Sequence, residues 1–419
     1  MSAVEDAPVT RPAVEPRTRH WSPVTWSVLV LAALAVISLV RVLTGAANLT
    51  SVGAVQSAIT AAVPIALAGL SGLWSERAGV VNIGLEGMMV LGTFGCAWIG
   101  WQYGPWPGVV AGILAGVVGG AILAVATVTF GVDHIIAGVA LSIVAPGLAL
   151  FLSQLLFANA PGGGEQQSPP VSDVYRITIP GLSDWLDSIA AKGWFFVSDL
   201  AGILGGATTS LSLLTVLAVL LIAGSGFVLW RTRFGLRLRS VGEAPYAAES
   251  LGVNVIRYKY IGVLVSGALS GLAGAFLVIG LKFVNGQTAG RGFIGLASLI
   301  FGNWRPGGMA AGAILFGYTD GVQLFDSEGT AMHAFLLLLA VALVLVAALQ
   351  LRRGNRAVAV VAVVIAALAI WWFLATDALP GQLVTAAPYA ITLLVMGLAS
   401  QRLRPPKADG MTYRKGGRG

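Results

Sequence analysis

An asparagine and a glutamate four residues apart, Asn82 and Glu86, stand within the otherwise apolar stretch "SERAGVVNIGLEGMMVLG" from Ser75 to Gly92. On a helix, residues at i and i+4 share a face, so amide and carboxylate are placed to act together. Two uses fit the pair. Asn82 can cap the helix that follows, leaving Glu86 just beyond the first turn, where the helix dipole favours negative charge. Alternatively, both line a polar path and hydrogen-bond a solute in transit. A carboxylate in hydrocarbon costs at least about 2.5 to 3.5 kcal/mol, so Glu86 must meet water, a partner or a path.

A second polar stretch, "NGQTAGRGF", offers Asn285, Gln287, Thr288, Arg291 and Phe293 as further path candidates. Gly290 and Gly292 permit close backbone approach there. Arg291 either orients a solute, contacts an external protein or snorkels to headgroups. Asp320 is a second acid inside an apolar run, and together with Glu86 it keeps a proton-coupled carrier open as a rival. Asp133 reads as the N-cap of a helix and His134 as an interfacial side chain, while Asn303 and Arg305 flank a turn. No G-x-x-x-x-G-K-[ST] phosphate loop, H-E-x-x-H or paired-cysteine metal spacing occurs, so neither a catalytic nor a metal site is assigned. A membrane enzyme acting on lipid-linked sugars would need acids and bases clustered at one face, and that cluster is absent.

The elements that must position these groups are membrane helices. The 419 residues are 57% hydrophobic and only 10% charged, against roughly 25% charged in soluble domains. The class is all-α and polytopic, because apolar runs of about 20 residues match a hydrocarbon core and no alternating barrel pattern is seen. Cys96, the single cysteine, lies in such a run and packs as a small apolar side chain. Spans are expected near 24–43, 53–73, 82–100, 107–129, 134–156, 207–230, 257–281, 293–303, 307–325, 333–350, 357–374 and 383–399. The 293–303 run is too short to cross alone and reads as half of a broken helix buried in protein.

Residues 1–23 read as a disordered arm and 401–419 as a basic tail. The net charge of +7 is concentrated in these ends and in the loops "RTRFGLRLRS" and "LRRGNR". The positive-inside rule places all four in the cytoplasm, which an even number of crossings allows, and leaves 157–206 as an extracellular loop. Trp21, Trp98, Trp101, Trp106, Trp185 and Trp194 sit near span ends, as an aromatic belt does.

An internal echo links "GLEGMMVLGTFG", "GPWPG" and "VVAGILAGVVGG" to "GRGFIGLASLIFG", "NWRPGG" and "MAAGAILFGYTDG", with Gly108 and Gly112 answering Gly308 and Gly312. One unit begins inside and the other outside, the relation of an inverted repeat. The cytoplasmic loop 231–256 contains a capped helix of about two turns, with Pro245 in its first turn, Glu243 and Glu249 facing outward and Gly252 at its left-handed stop.

"GLRLRSVGEAPYAAESLGVNV" resembles the cytoplasmic coupling loop of bacterial ABC importer permeases of the branched-chain amino acid, ribose and nucleoside group. "ERAGVVNIGLEGMM", "GVDHIIAGVALS" and "TAGRGFIGLASLIFG" are most similar to its nucleoside and simple-sugar branch. The resemblance covers roughly Gly53 to Phe325 and Leu379 to Ser400. It implies a type II importer permease fold of about ten core segments. It also implies a partner ATPase that binds ATP and Mg, a second and homologous permease, and an extracellular substrate-binding lipoprotein. No cofactor is expected in this chain and no nucleic acid partner; membrane lipid and a small solute are its other contacts. Gly242, Glu243, Pro245, Ala247, Ala248, Glu249 and Gly252 are assigned by the resemblance to ATPase coupling. The run from Ala334 to Leu374 departs from the family pattern and reads as an added helical hairpin, at 333–374, facing lipid.

Overall fold

The computed structural model describes residues 23–325, 330–352, 354–376 and 403–416. The expected arm 1–23, except its last residue, and the expected span 383–399 lie outside the described residues. Apolar runs fold as helices because no water is present in lipid to satisfy backbone groups. In chain order these are α1 (Pro23–Thr44), α2 (Val52–Arg77), α3 (Leu85–Tyr103), α4 (Pro105–Ala124), which runs into a π-helical turn at Val125–Thr129, and α5 (His134–Phe157). Then come α6 (Leu182–Ala190), α7 (Val197–Gly206), α8 (Leu213–Arg231), α9 (Arg233–Glu243), α10 (Pro245–Ser250) and α11 (Val255–Val278). The described chain continues with α12 (Arg291–Phe301), α13 (Pro306–Phe325), α14 (Thr330–Arg352) and α15 (Arg356–Ala375). Among the described residues, seven helices are long and apolar enough to cross a membrane, so the protein is a multi-pass membrane protein.

Two three-helix units form the centre. Helix α4 runs antiparallel along α11, with Gly112 on Gly271 and Ala275, Gly116 on Gly267 and Gly271, and Gly120 on Val263. Helix α13 runs the same way along α2, with Met309 at Gly69, Gly317 on Ala62 and Gly321 on Ala58. Helix α3 lies on α11 at Gly274, and α12 lies on α2 at Gly295. Even the turns correspond: Gly108 faces the Gly100 backbone where α3 meets α4, and Gly308 faces Gly302 where α12 meets α13. The units α2–α4 and α11–α13 thus make equivalent contacts while running in opposite directions, so the echo in the sequence is an inverted repeat. Small residues allow these approaches, since apolar side chains gain little by leaving lipid.

One end of the molecule is basic. Arg77 closes α2 and donates from Nη2 to the Trp304 carbonyl after α12 at 2.8 Å, and the Arg77 and Arg239 guanidinium groups lie 5.5 and 5.4 Å from the Trp230 ring centroid. The opposite end carries the excursion between α5 and α8. The described chain stands at that excursion end at Thr376, whose hydroxyl meets His333 Nε2 near the start of α14, and at the basic end at Arg404, whose N–H donates to Asn303 Oδ1 at 2.8 Å. The centre and periphery differ sharply in burial: two thirds of the apolar window is buried in α2 and α11, against 17% in α5.

The excursion is more than a loop. It holds α6, α7 and a pair of two-residue strands, β1 (Arg176–Ile177) and β2 (Leu211–Ser212), so α8 begins several residues later than the apolar run suggests. Asp199 of α7 is fully buried, paired with Arg41 Nε at 2.7 Å and accepting from the Thr50 hydroxyl. The expected hairpin exists as α14 and α15, joined by the alanine stripe Ala359, Ala362, Ala366 and Ala369. Its outer face fits lipid, but Ala331 and Ala334 at the start of α14 pack with Val40, Leu49 and Ala54, so that end belongs to the body.

Candidate translocation and coupling sites

The first site is the joint where the two units meet. After Arg77 the chain turns at Gly79, whose φ of +79° suits glycine, and returns through Val80–Gly84 without helix before α3 begins. Glu76 and Arg77 end α2, which runs a turn past the expected span 53–73. Asn82 does not cap α3: Gly84 holds the N-cap position with no side-chain cap bond. Instead Asn82 is fully buried and donates from Nδ2 to Ser266 Oγ on α11 at 2.8 Å. Ser266 and Ser270 in turn meet the Ser71 hydroxyl of α2, at 2.8 Å each.

Glu86 does cap a helix, but one about 200 residues away in the chain. Its Oε1 accepts from Gly290 N at 2.9 Å and its Oε2 from Gly292 N at 2.7 Å, at the start of α12. Four N–H groups at a helix start lack intrahelical partners, and the dipole there favours an anion, so one carboxylate answers both needs. Gly290 is left-handed at φ +76°, and a Cβ on Gly292 would lie 2.7 Å from the Glu86 nitrogen. Glycine is favoured at Gly290 by its backbone conformation and is required at Gly292 for the close approach. At 11 residues α12 spans about 16 Å, half a hydrocarbon core, so its start lies inside the apolar layer, as a broken helix does.

The remaining path candidates lie on the descent into α12. Asn285 is held at the excursion mouth, its N–H donating to the Gln166 carbonyl at 2.9 Å. Gln287 Oε1 accepts from Val284 N at 2.6 Å, while its Nε2 is buried without a protein partner. Thr288 is buried, and Phe293 is 46% exposed, so of these two only Phe293 faces open space. Arg291 is not free to snorkel: its Nη2 pairs with Asp320 Oδ2 at 2.7 Å. That pair also accounts for Asp320, which had no evident partner in the sequence. Asp133 caps α5 as expected, accepting from Ile135 N and Ile136 N at 2.9 and 3.0 Å, and His134 is buried beside it.

The second candidate site is the folded polar segment that carries α9 and α10 at the basic end. Pro245 occupies the first turn of α10, Ala248 is buried, Ala247 is exposed and Gly252 has φ +79°, matching the capped helix read from the sequence. Glu243 Oε1 pairs with Arg77 Nη1 at 3.5 Å. Gly242 lies against the Arg77 carbonyl too closely for any side chain. Glu249 accompanies Tyr246 on α10, and Leu251, at 84% exposed, forms its tip.

Several residues here escaped sequence reasoning. Helix α9 was not foreseen, although Phe234, Leu238 and Val241 carry a helical i, i+4, i+7 signal within the basic run. Lys259 is buried in α11, donating to the Gly79 and Met411 carbonyls at 2.9 and 3.4 Å, and Trp304 Nε1 donates to Glu76. Residues 403–416 fold back onto this cluster, and burial, with the Glu76 charge adding to it, holds the Asp409 carboxyl far above the usual carboxylate range. Tyr413 is pushed up to about 12 by burial and by its bond to Glu249.

Inverted three-helix units joined where the start of the short helix α12 meets the start of α3, with a folded polar segment docked at one end, define a membrane transport permease. The sequence agrees with the geometry. The chain belongs to the family described as branched-chain amino acid transport system permease component, whose model matches residues 54–347. It is 36% identical to the guanosine ABC transporter permease protein NupQ of Bacillus subtilis over 282 residues, 65% of this chain and 82% of that one. It is 32% identical to the nucleoside ABC transporter permease protein NupC of Lactococcus lactis over 361 residues, 84% of this chain and 93% of that one. A putative glucose ABC transporter permease protein, TsgC13 of Haloferax volcanii, is 34% identical over 65% of this chain and 77% of its own length. No solved structure matches. The family match takes in most of α14, which the sequence resemblance had left outside, and stops before α15.

Proposed function

We propose that this chain is the permease subunit of an ATP-driven nucleoside importer of the bacterial cell membrane. A second permease completes the path, a separate ATPase docks at α10, and an external binding lipoprotein delivers solute. The observation that carries the reading is the placement of Gly242 and Glu243, where α9 passes into α10, against the end of α2, from which the chain climbs directly to the joint at Glu86. Displacement of α10 by an ATPase is thereby delivered to the starts of α3 and α12 through the packed end of α9 and the short stretch of chain from Arg77 to Glu86. The basic end then faces the cytoplasm, with both termini there, by the positive-inside rule.

Among the path candidates, Asn82 Oδ1, Gln287 Nε2 and Arg291 Nε are buried without hydrogen-bond partners and the Phe293 ring is exposed, which leaves an acceptor, two donors and an apolar face for solute. Nucleosides offer the matching edges, and two of the relatives carry guanosine and nucleoside in their names. A simple-sugar or branched-chain amino acid permease is the alternative. A proton carrier is less well supported, because both in-membrane acids it would use, Glu86 and Asp320, are already bonded.

The test is uptake by the assembled complex in membrane vesicles. Radiolabelled uridine should enter only with ATP, with competition by adenosine exceeding that by ribose or leucine, and disruption of Glu243–Leu251 should abolish entry. Uptake driven by a proton gradient without any ATPase would refute the reading.

A further inference from the structure

The C-terminal stretch "RPPKADGMTYRKGG" has the composition of a solvated tail: proline, glycine and charge with no apolar period. It is instead laid across the basic end by a contact at nearly every other residue. Arg404 N–H donates to Asn303 Oδ1 at the turn after α12. Lys407 N–H donates to Glu243 Oε2 at 3.3 Å and Ala408 N–H to the Gly242 carbonyl at 2.9 Å, where α9 passes into α10. Asp409 meets the Glu76 carboxyl at the end of α2, and the Met411 carbonyl accepts from Lys259 of α11. Gly410 lies over Val81, the residue before Asn82. The Tyr413 ring packs on Tyr246 of α10 at 5.4 Å between centroids, and its hydroxyl meets Glu249.

These contacts divide into two sets joined by a few residues of backbone. One set grips α9 and α10; the other grips the chain climbing to the joint and the end of α12. We propose that residues 403–416 are a strut that carries movement of α10 to the Val80–Glu86 segment, with Asp409 and Tyr413 as its positioning residues at the two ends. Otherwise α10 reaches that segment through α9, whose end packs on α2, or through α11. The strut bypasses both and bears on Val81 directly. Two carboxyl groups in contact require a shared proton, which makes the Asp409–Glu76 contact a hydrogen bond when one is neutral, and an amide at 409 can replace the donor. The burial that raises Asp409 favours that protonated state.

The inference rests on α10 being the ATPase contact, and its test separates the two. The full complex is compared with Asp409→Asn, Asp409→Ala and a chain ending at residue 402. Expected for the truncation and for Asp409→Ala is retained co-purification of the ATPase with a tenfold or greater fall in uridine taken up per ATP hydrolysed. Asp409→Asn should restore at least half of the wild-type ratio. Wild-type coupling in the truncated complex overturns the strut, as does an Asp409→Asn variant no better than Asp409→Ala. If the truncation does not insert, the Asn and Ala pair decides at matched membrane levels. A wild-type complex that takes up no uridine with ATP counts against the importer reading alone. The strut is then judged by hydrogen exchange of the wild-type chain, in which the Ala408 amide should be protected at least 100-fold. Free exchange there overturns it.

Discussion

Replacing Glu86 separates a structural joint from a solute contact. Each carboxylate oxygen accepts one backbone N–H from the start of α12, and hydrogen bonds to charged groups contribute roughly 1.5 to 3 kcal/mol each. Glu86→Gln keeps one acceptor oxygen and loses the charge, so it should destabilise by about 2 to 3 kcal/mol, the dipole interaction adding a few tenths. Glu86→Ala leaves both Gly290 and Gly292 N–H groups unpaired away from water and should destabilise by about 4 kcal/mol or more. The assay is the fraction of detergent-purified protein that stays monodisperse after graded heating, read beside uptake at matched membrane levels. Stability should order wild type above Gln above Ala, uptake should fall with folded protein, and the KM for uridine should not change. Gln and Ala variants as heat-resistant as wild type, with a raised KM, would refute the joint and return Glu86 to the path.

Three other outcomes follow from the geometry. Gly116→Ala puts a methyl into the Gly267 carbonyl across the α4–α11 crossing and should abolish stable insertion, whereas Gly147→Ala, with nothing within 4 Å, should express as wild type; immunoblots of membrane fractions decide. Asp320→Asn keeps an acceptor for Arg291 while removing the carboxylate, so ATP-driven uptake should persist at more than a third of wild type and ignore a protonophore; its loss would revive a proton role. The docked Asp409 keeps its proton to higher pH than a free carboxyl with its ordinary value of 3.8, so the docked tail binds more protons than the released one. Docking should therefore weaken as pH rises above about 4 and on through neutrality, with Glu76 and Arg77 of α2 and Lys259 of α11 as the charged neighbours. Exchange protection of the Ala408 amide should fall with pH accordingly, and Asp409→Asn should flatten the slope.

What the sequence made legible was local. Apolar run lengths placed the described spans to within a few residues except at α8, where β2 occupies the start of the run. The Asp133 cap and the helix Pro245–Ser250, with its stop at Gly252, followed from residue types with strong positional preferences. The Gly108 and Gly308 echo was readable because a close turn leaves room for only one residue type. Partners were not legible. Nothing near Glu86 names Gly290, and nothing near Asp320 names Arg291, because a hydrogen bond across a fold leaves no periodic trace. The tail was hidden for a different reason: it docks by backbone amides and single side chains rather than by an apolar face, so its composition matches that of an unfolded segment.

The joint also limits how the protein can move. The two units are related by inversion, yet their helix starts are not equivalent, since α12 is capped by a carboxylate while α3 begins at Gly84 with no side-chain cap. Pulling α3 away from α12 would expose an anion and two N–H groups to an apolar surround, which is far costlier than sliding packed glycine faces past each other. The starts of α3 and α12 therefore travel as one body. Opening must occur on faces without such a lock, and the face of α12 that carries the exposed Phe293 is one of them. A lever that reaches Val81 moves the whole joint, because the Glu86 bonds hold α12 to whatever α3 does.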